Sequence, residues 1–194
     1  MTTEKVWLIT GASRGIGLAL AQRVVAAGER VALLARGEGA LEEAHKLGDR
    51  ALGLRADVGD PESIAAAVAR LIGHWGQLDV VVNNAGLHRG GKVGRLALED
   101  WQAVLDTNLT GALNVISCAR EHLGEGSSIV NVGGVVGFRG FPGDAAYAAS
   151  KAGLSGLTRA LAIELAGKGI RANLVIPGLV LTDMTGGLSE KALE

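Results

Sequence analysis

The stretch Thr10-Gly11-Ala12-Ser13-Arg14-Gly15-Ile16-Gly17 connects an apolar run, Val6 to Thr10, to a helical pattern that begins at residue 18. Glycines in such a turn let backbone amides approach a pyrophosphate, which the free N–H groups and the dipole of the helix N-terminus stabilise. A tight structural turn is the alternative interpretation of a single glycine-rich loop. Because this loop follows the first predicted strand, it predicts a dinucleotide-binding strand, turn and helix. The loop lacks the Gly-Lys-Ser/Thr ending of an ATP-binding P-loop.

Five further apolar runs predict strands along the rest of the chain: Val31–Ala35, Ala51–Ala56, Leu78–Asn83, Ser128–Val132 and Arg171–Ile176. Their nearly continuous apolar character suits strands that are covered on both faces. Helical patterns alternate with these runs, as in the apolar stripe Ile64, Val68, Leu71 and Ile72, for which Asp60 is the expected N-cap. The order predicts an α/β fold with a doubly wound parallel sheet, in one domain over residues 1–194.

Composition and charge narrow the classes of partner. The chain has 48% hydrophobic residues and a net charge of -1, with its basic residues scattered, so we expect no nucleic-acid or membrane partner. The N-terminus lacks a basic and apolar signal sequence, which predicts a cytoplasmic protein. The four histidines have no ligand spacing, so no metal is expected. The only cysteine, Cys118, is expected to be a buried, inert helix residue.

The second predicted strand ends at Arg36, where a dinucleotide fold that selects NAD often places an acid. Arg36, together with Arg14 of the glycine-rich loop, offers charge-assisted hydrogen bonds to a 2′-phosphate. The alternative is that both arginines are solvated loop charges. The pair favours NADP(H) as the cofactor.

Three polar segments carry the remaining chemistry. Asp57-Val58 and Asn83-Asn84-Ala85-Gly86 follow strands and are expected at the carboxyl edge of the sheet, where ligands bind. Tyr147 and Lys151 are spaced i, i+4, which places the phenol and the ammonium on one face of a helix. A nearby cation favours the phenolate, so we expect Lys151 to lower the pKa of Tyr147 and to make it a proton-transfer group.

These motifs resemble those of the short-chain dehydrogenase/reductase family. The glycine loop TGxxxGxG, NNAG, YxxxK and the segment Pro177-Gly178-Leu179-Val180-Leu181-Thr182 occur in the order seen in that family, over nearly the whole chain. The chain is most similar to the 3-oxoacyl-[acyl-carrier-protein] reductase group around GASRGIG, DVxDPxS, YAASKAG and TDMT. The resemblance implies a Rossmann fold, a nicotinamide cofactor, a small carbonyl or alcohol substrate and a homo-oligomer.

The resemblance also implies roles for individual residues. Tyr147 is expected to be the general acid, Lys151 to lower its pKa and bind the nicotinamide ribose, and Asn108 to support a proton-relay water. The expected cofactor-binding residues are Gly11, Ser13, Arg14, Ile16, Arg36, Asp57, Val58, Asn84, Ala85, Gly86, Tyr147, Lys151, Pro177, Gly178, Val180 and Thr182.

The chain departs from the family pattern at two places. Gly134 occupies the position, thirteen residues before Tyr147, where the family has its catalytic serine. Loss of one such donor costs on the order of 2.7 to 4 kcal/mol by analogy with an oxyanion hole. The sequence ends at Glu194, where the family continues for several tens of residues, so we expect the last strand and the C-terminal lid elements to be lacking.

Three hypotheses follow from these observations. The first is an NADPH-dependent reductase of a ketone or 3-oxoacyl thioester. The second is a catalytically impaired NADP(H)-binding module, which Gly134 favours. The third, a nucleotide-sugar epimerase or dehydratase, shares YxxxK, but the spacing of Gly11, Gly15 and Gly17 argues against it.

Overall fold

Six parallel strands form one sheet in the computed structural model, which describes residues 4–183. The strands are β1 Val6–Thr10, β2 Arg30–Ala35, β3 Ala51–Arg55, β4 Val80–Asn83, β5 Ser128–Val132 and β6 Arg171–Val175. They lie in the order β3-β2-β1-β4-β5-β6. The predicted doubly wound parallel sheet is confirmed, and the predicted strand ends differ from the observed ones by at most two residues.

Helices connect successive strands. They are α1 Gly15–Ala26, α2 Gly39–Leu47, α3 Pro61–Trp75, α4 Leu98–Leu105, α5 Gly111–Ala119, α6 Val136–Arg139 and α7 Ala145–Leu165. A π-helical turn, Asp106–Thr110, joins α4 to α5. Short 3₁₀ turns, Arg120–His122 and Ala166–Lys168, follow α5 and α7.

Both faces of the sheet are covered, which explains the continuous apolar runs in the sequence. Val6 and Leu8 of β1 belong to one hydrophobic core, to which α3, α5 and α7 contribute. Ile9 belongs to a second core on the other face, to which α1 and α2 contribute. Because neighbouring residues of a strand point to opposite faces, an apolar residue is needed at each position.

The start of α3 confirms the predicted cap. The carboxylate of Asp60 accepts a hydrogen bond from the backbone N–H of Glu62 at 3.0 Å, and Pro61 occupies the first turn. Ile64, Val68 and Leu71 are buried against the sheet. By contrast, Cys118 on α5 is only half-buried, which corrects the expectation of a buried residue; the burial that remains raises the pKa of its thiol.

The order of the strands locates the ligand-binding edge. The chain leaves β1 for β2 on one side, and later returns to place β4 on the other side of β1. In open sheets of this kind ligands bind at the carboxyl ends of the strands, beside such a switch point. Within residues 4–183, no helix is long and apolar enough to cross a membrane, and no group of three His, Cys, Asp or Glu side chains is arranged to hold a metal.

Candidate active site

A cleft of about 960 Å³ lies at the carboxyl edge of the sheet. It is lined by residues from the loops after all six strands, so the fold assembles it from segments far apart in sequence. The predicted site residues that line it are Gly11, Ser13, Arg14, Ile16, Arg36, Val58, Asn84, Ala85, Gly86, Tyr147, Lys151, Pro177, Gly178, Val180 and Thr182. Two predicted site residues, Asp57 and Asn108, do not line it.

The glycine-rich loop requires glycine for steric reasons. Gly11 has a φ of +64°, and a Cβ there would lie 2.7 Å from Cα of Ala85. A Cβ on Gly17 would lie 2.5 Å from the carbonyl oxygen of Gly11. These two glycines therefore permit close packing on the loop after β4, and Gly11 and Gly15 line the cleft with backbone that carries no side chain.

Thr10 and Asn84 fasten the glycine-rich loop to the loop after β4. The Thr10 hydroxyl accepts hydrogen bonds from the N–H groups of Asn84 and Ala85, at 3.0 and 2.9 Å. The Asn84 side chain donates to the carbonyl oxygens of Thr10 and Gly11, at 3.0 and 3.1 Å. Sequence reasoning gave Asn84 a role in cofactor binding and gave Thr10 none. The structure shows that both side chains brace the turn that forms the cleft wall.

The N-terminus of α1 opens towards the cleft beside two arginines. No side chain caps this helix, whose N-cap residue is Arg14. Arg14 is 73% exposed, with Nη1 4.0 Å from the Asp183 carboxylate, and Arg36 is exposed at the end of β2. The fold therefore brings both guanidinium groups to one cleft although they lie on different loops.

Asp57 and Val58 follow β3, as predicted, but only Val58 reaches the cleft. The Asp57 carboxylate accepts a hydrogen bond from the backbone N–H of Gly59 at 2.9 Å. It thereby stabilises the turn that leads to α3. The structure thus brings Val58 but not Asp57 to the cleft, because the Asp57 carboxylate is turned to the backbone that follows it, and the role of both residues in cofactor binding stays a prediction.

Tyr147 and Lys151 lie one turn apart on α7 and both line the cleft. The Lys151 Nζ is 5.5 Å from the centroid of the Tyr147 ring and donates to the carbonyl oxygen of Val132 at 2.7 Å. Lys151 is 3% exposed, and this burial lowers its pKa to about 8.

The pKa of Tyr147 differs from the sequence-based expectation. Burial, and then the nearby Asp144 carboxylate, raise the pKa of the phenol above its ordinary value. The expectation that Lys151 lowers the pKa of Tyr147 is therefore wrong for the protein without a bound cofactor. The Lys151 ammonium donates to the Val132 carbonyl and lies 5.5 Å from the centroid of the Tyr147 ring, and the burial of the phenol outweighs any stabilisation of the phenolate by Lys151.

Asn108 is 1% exposed within the π-helical turn and does not face the cleft. Its side chain accepts from the N–H of Leu87 at 2.7 Å and donates to the carbonyl oxygen of Leu87 at 3.0 Å. It also donates to the Ser150 hydroxyl, which in turn donates to the carbonyl oxygen of Tyr147. The side chain thus connects the loop after β4 to the helix that carries Tyr147. Its predicted support of a relay water stays a prediction.

Gly134 lines the cleft wall after β5. Its backbone does not adopt the left-handed conformation that requires glycine. A Cβ built on it would meet Cγ of Lys151 at 3.8 Å, which is an ordinary van der Waals contact, and would meet nothing closer. The Cβ of a serine would therefore fit at this position without strain.

The structure adds residues that sequence reasoning missed. His88 and Asp144 line the same cleft, and the His88 ring lies edge-on to the Tyr147 ring, with centroids 5.2 Å apart. Their positions, two residues after NNAG and three before Tyr147, were the available signal. Of the motif TDMT, Met184 and Thr185 lie outside the described residues.

The doubly wound sheet and its switch-point cleft, with a glycine-rich turn and a Tyr-Lys pair, define an oxidoreductase of the Rossmann-fold class. The chain belongs to the short chain dehydrogenase family, whose profile matches residues 5–193.

Curated relatives cover nearly the whole chain. The chain is 39% identical to the 3-oxoacyl-[acyl-carrier-protein] reductase FabG of Staphylococcus aureus, covering 100% of this chain and 82% of the relative. It is 44% identical to carbonyl reductase family member 4 of Danio rerio, over 97% and 81% of the two chains. A 3-oxoacyl-[acyl-carrier-protein] reductase of Homo sapiens is 42% identical, over 98% and 82%.

Solved structures share the fold. A short chain dehydrogenase from Burkholderia cenocepacia in complex with NADP superposes with a TM-score of 0.92 at 39% identity, covering 97% of this chain and 80% of that one. A dehydrogenase/reductase from Sinorhizobium meliloti superposes with a TM-score of 0.91 at 35% identity, over 97% and 77%.

Proposed function

We propose that this protein transfers a hydride between NADP(H) and a ketone, an alcohol or a 3-oxoacyl substrate, with Tyr147 as the general acid and base. The observation that carries the proposal is that Tyr147 and Lys151 line the same cleft as the glycine-rich loop and Arg36. Relatives named as 3-oxoacyl-[acyl-carrier-protein] and carbonyl reductases support this substrate class.

The residues present fit a dinucleotide. Gly11 and Gly15, both with positive φ, line the cleft with backbone that carries no side chain, as a pyrophosphate site needs. The adjoining N-terminus of α1 lacks a side-chain cap, so its N–H groups and dipole can stabilise phosphate charge. The volume of about 960 Å³ is ample for a dinucleotide half and a small substrate.

Two arginines support the preference for the 2′-phosphate. Arg36 follows β2, where an acid would favour a free ribose hydroxyl, and Arg14 lies on the neighbouring loop. A guanidinium group binds a phosphate through charge-assisted and often bidentate hydrogen bonds. The solved relative from Burkholderia cenocepacia, which is in complex with NADP, supports the same cofactor.

The raised pKa of Tyr147 suits the direction of reduction. A phenol that stays protonated at neutral pH has a proton to donate to a carbonyl oxygen as negative charge develops there. In the reverse direction the phenolate would accept the proton of the alcohol. Bound NADPH would supply the hydride for the carbonyl carbon. Lys151, held against the Val132 carbonyl, is the group we assign to the nicotinamide ribose.

A second function is favoured by one observation. Gly134 leaves the cleft wall beside Lys151 without a hydroxyl, so one donor to the substrate oxygen is missing there. A loss on the order of 2.7 to 4 kcal/mol in transition-state stabilisation would leave a protein that binds NADP(H) and turns over slowly. Such a protein would act as a cofactor-binding module.

One experiment separates the two functions. Oxidation of NADPH is followed against a panel of ketones and 3-oxoacyl thioesters, with a parallel titration of NADPH binding. The reductase function predicts turnover that is lost in Tyr147→Phe while NADPH still binds. Tight NADPH binding without turnover of any carbonyl would instead support the cofactor-binding module.

A further inference from the structure

The turn over residues 36–39 carries Arg36, the arginine that we assign to the 2′-phosphate. It leads from β2 into α2, and a Cβ on Gly39 would lie 3.2 Å from Cβ of Ser13, so the turn lies against the glycine-rich loop. A Cβ on Gly37 would meet nothing within 4 Å. Because glycine also has the greatest backbone freedom of any residue, packing does not fix the middle of this turn.

One side chain from the neighbouring strand holds the turn in place. Arg55 is the last residue of β3 and pairs in register with Ala35 of β2. Its Nε donates to the carbonyl oxygen of Arg36 at 3.2 Å, and its Nη1 donates to Oε1 of Glu38 at 2.7 Å. Within residues 4–183, no other side chain hydrogen-bonds to the turn. The Arg55 guanidinium thus joins the two sides of Gly37.

Glu38 is the acidic group that this arrangement controls. It lies two residues after Arg36, and its carboxylate does not cap α2, although Glu38 is the N-cap residue. An unpaired carboxylate on this turn would compete with a 2′-phosphate for the Arg36 guanidinium and would repel the phosphate, whereas a free 2′-hydroxyl could donate to it. The ion pair with Arg55 neutralises this carboxylate.

The guanidinium of Arg36 is left available by the same arrangement. In the described part of the chain, it makes no hydrogen bond or ion pair with another residue, and only the carbonyl oxygen of Arg36 is engaged by Arg55. Arg36 lines the cleft, whereas Arg55 and Glu38 do not. Any effect of Arg55 on the cofactor therefore passes through the turn.

We propose that Arg55 is a positioning residue that determines cofactor selection: it holds the Glu38 carboxylate and thereby leaves the Arg36 guanidinium to the 2′-phosphate of NADP(H). The proposal rests on the proposed function as an NADP(H)-dependent protein. It involves no bond-making step, and it concerns the affinity for the cofactor rather than the chemistry of the carbonyl.

The test compares the dissociation constants of NADPH and NADH by titration at low ionic strength, where exposed charges are screened least. Arg55→Met removes the guanidinium and keeps an unbranched side chain, and Arg55→Lys keeps the charge. Glu38→Gln removes the carboxylate charge. It is measured alone and together with Arg55→Met, which completes a double-mutant cycle.

Arg50→Met is the matched control. Arg50 immediately precedes β3, at the opposite end of that strand from Arg55. It also donates to a backbone carbonyl oxygen, that of Gly28 at 2.6 Å, and it also forms an ion pair, with Glu4. The control therefore removes the same charge and the same types of contact at the other edge of the sheet.

We expect Arg55→Met to weaken NADPH binding about tenfold, which is within the range of coupling for residues of one network, and to change NADH binding by less than about twofold. Arg55→Lys should keep part of the preference for NADPH. Glu38→Gln, added to Arg55→Met, should restore most of the lost NADPH affinity. Arg50→Met should keep the parent ratio of the two dissociation constants.

An unchanged preference for NADPH in Arg55→Met would overturn the proposal and leave the proposed function intact. So would an equal loss of preference in Arg50→Met. If Glu38→Gln did not restore NADPH binding to Arg55→Met, the effect would not pass through the Glu38 carboxylate, and the proposal would be wrong. Equal binding of NADPH and NADH by the parent would instead refute the assignment of Arg36, and the role of Arg55 would fall with it.

Discussion

At the scale of single residues, Gly134 departs from the family pattern, because the family has its catalytic serine at this position. Its backbone conformation is open to any residue, and a Cβ there would only touch the aliphatic chain of Lys151. No steric constraint in this structure therefore requires a glycine at position 134. What it changes is the chemistry of the cleft wall, from which a hydroxyl donor is missing.

Gly134→Ser is expected to raise the rate of carbonyl reduction and to leave NADPH affinity nearly unchanged. The hydroxyl would lie near the substrate oxygen, whereas phosphate contacts lie at the glycine-rich loop. A donor worth about 2.7 kcal/mol sets an upper gain of roughly a hundredfold. Single-turnover hydride transfer in the parent, in Gly134→Ser and in Gly134→Ser with Tyr147→Phe measures it. A gain that survives the loss of the Tyr147 hydroxyl would remove Tyr147 from the mechanism.

Arg36→Asp is expected to weaken NADPH binding and to favour NADH relative to it. The new carboxylate would repel the 2′-phosphate and would accept a hydrogen bond from a free 2′-hydroxyl. The dissociation constants of both cofactors are measured by titration. Arg23→Asp makes the same change of charge on the exposed surface of α1 and serves as the control. Comparable affinities of the parent for NADPH and NADH would refute the assignment of Arg36.

Lys151 should make stability depend on pH in the alkaline range. Burial lowers its pKa from the ordinary 10.5 to about 8, so between these values the unfolded chain binds a proton that the native protein does not. The free energy of unfolding therefore rises with pH across this window, by up to about 1.4 kcal/mol per pH unit, and below pH 8 the buried charge costs its full amount.

Urea unfolding of the parent and of Lys151→Met between about pH 7 and pH 9.5 isolates this contribution, since tyrosine, with an ordinary pKa of about 10, stays mostly protonated over that range and is present in both proteins. The parent should gain about 1 to 2 kcal/mol relative to the variant as pH rises. The lost hydrogen bond to Val132 shifts the variant by a constant amount and does not alter the slope. Parallel pH profiles would show that the lysine titrates normally.

At the scale of elements, the contact of α6 with α7 supports the site. A Cβ on Gly137 of α6 would lie 2.7 Å from the backbone nitrogen of Ala152 and 2.8 Å from the carbonyl carbon of Lys151. Both are main-chain atoms of α7 and cannot yield as a side-chain end would. The close approach of the two helices thus fixes the cleft wall after Gly134 against the helix that carries Tyr147.

Gly137→Ala is expected to force α6 away from α7, to destabilise the protein by about 1 to 3 kcal/mol and to reduce turnover. Gly156→Ala, on the exposed side of α7 with nothing within 4 Å of the new Cβ, should instead stabilise it by about 0.5 to 1 kcal/mol. The denaturant midpoints of both variants test these two opposite expectations. If Gly137→Ala left the free energy of unfolding unchanged, the close approach of α6 to α7 would not be needed for stability.

At the scale of the whole molecule, the strand order gathers the site. β1 and β4 are neighbours, with Trp7 paired to Val80, although 69 residues lie between the end of β1 at Thr10 and the start of β4 at Val80. The loops that follow the two strands are joined through Thr10 and Asn84. The parallel sheet brings the carboxyl ends of all its strands to one edge, where the loops after all six strands line the cleft. The homo-oligomer, the cytoplasmic location and the single domain over residues 1–194 stay predictions.

The sequence by itself determined what depends on local pattern. Apolar runs predicted the strands, because residues covered on both faces must be apolar at each position, and the Asp60 cap followed from its place before Pro61. The glycine-rich turn and the spacing of Tyr147 and Lys151 could be recognised in the sequence, because backbone sterics and helical geometry act over a few residues.

Only the tertiary structure decided how distant groups meet. It turned the Asp57 carboxylate to Gly59, buried Lys151 against Val132, and raised the pKa of Tyr147 where the sequence predicted a lowering. It also joined His88 to Asp144 across 56 positions of the chain. Burial, and the direction in which a side chain points, depend on contacts between segments that no local pattern encodes, and these contacts set the electrostatics of the cleft.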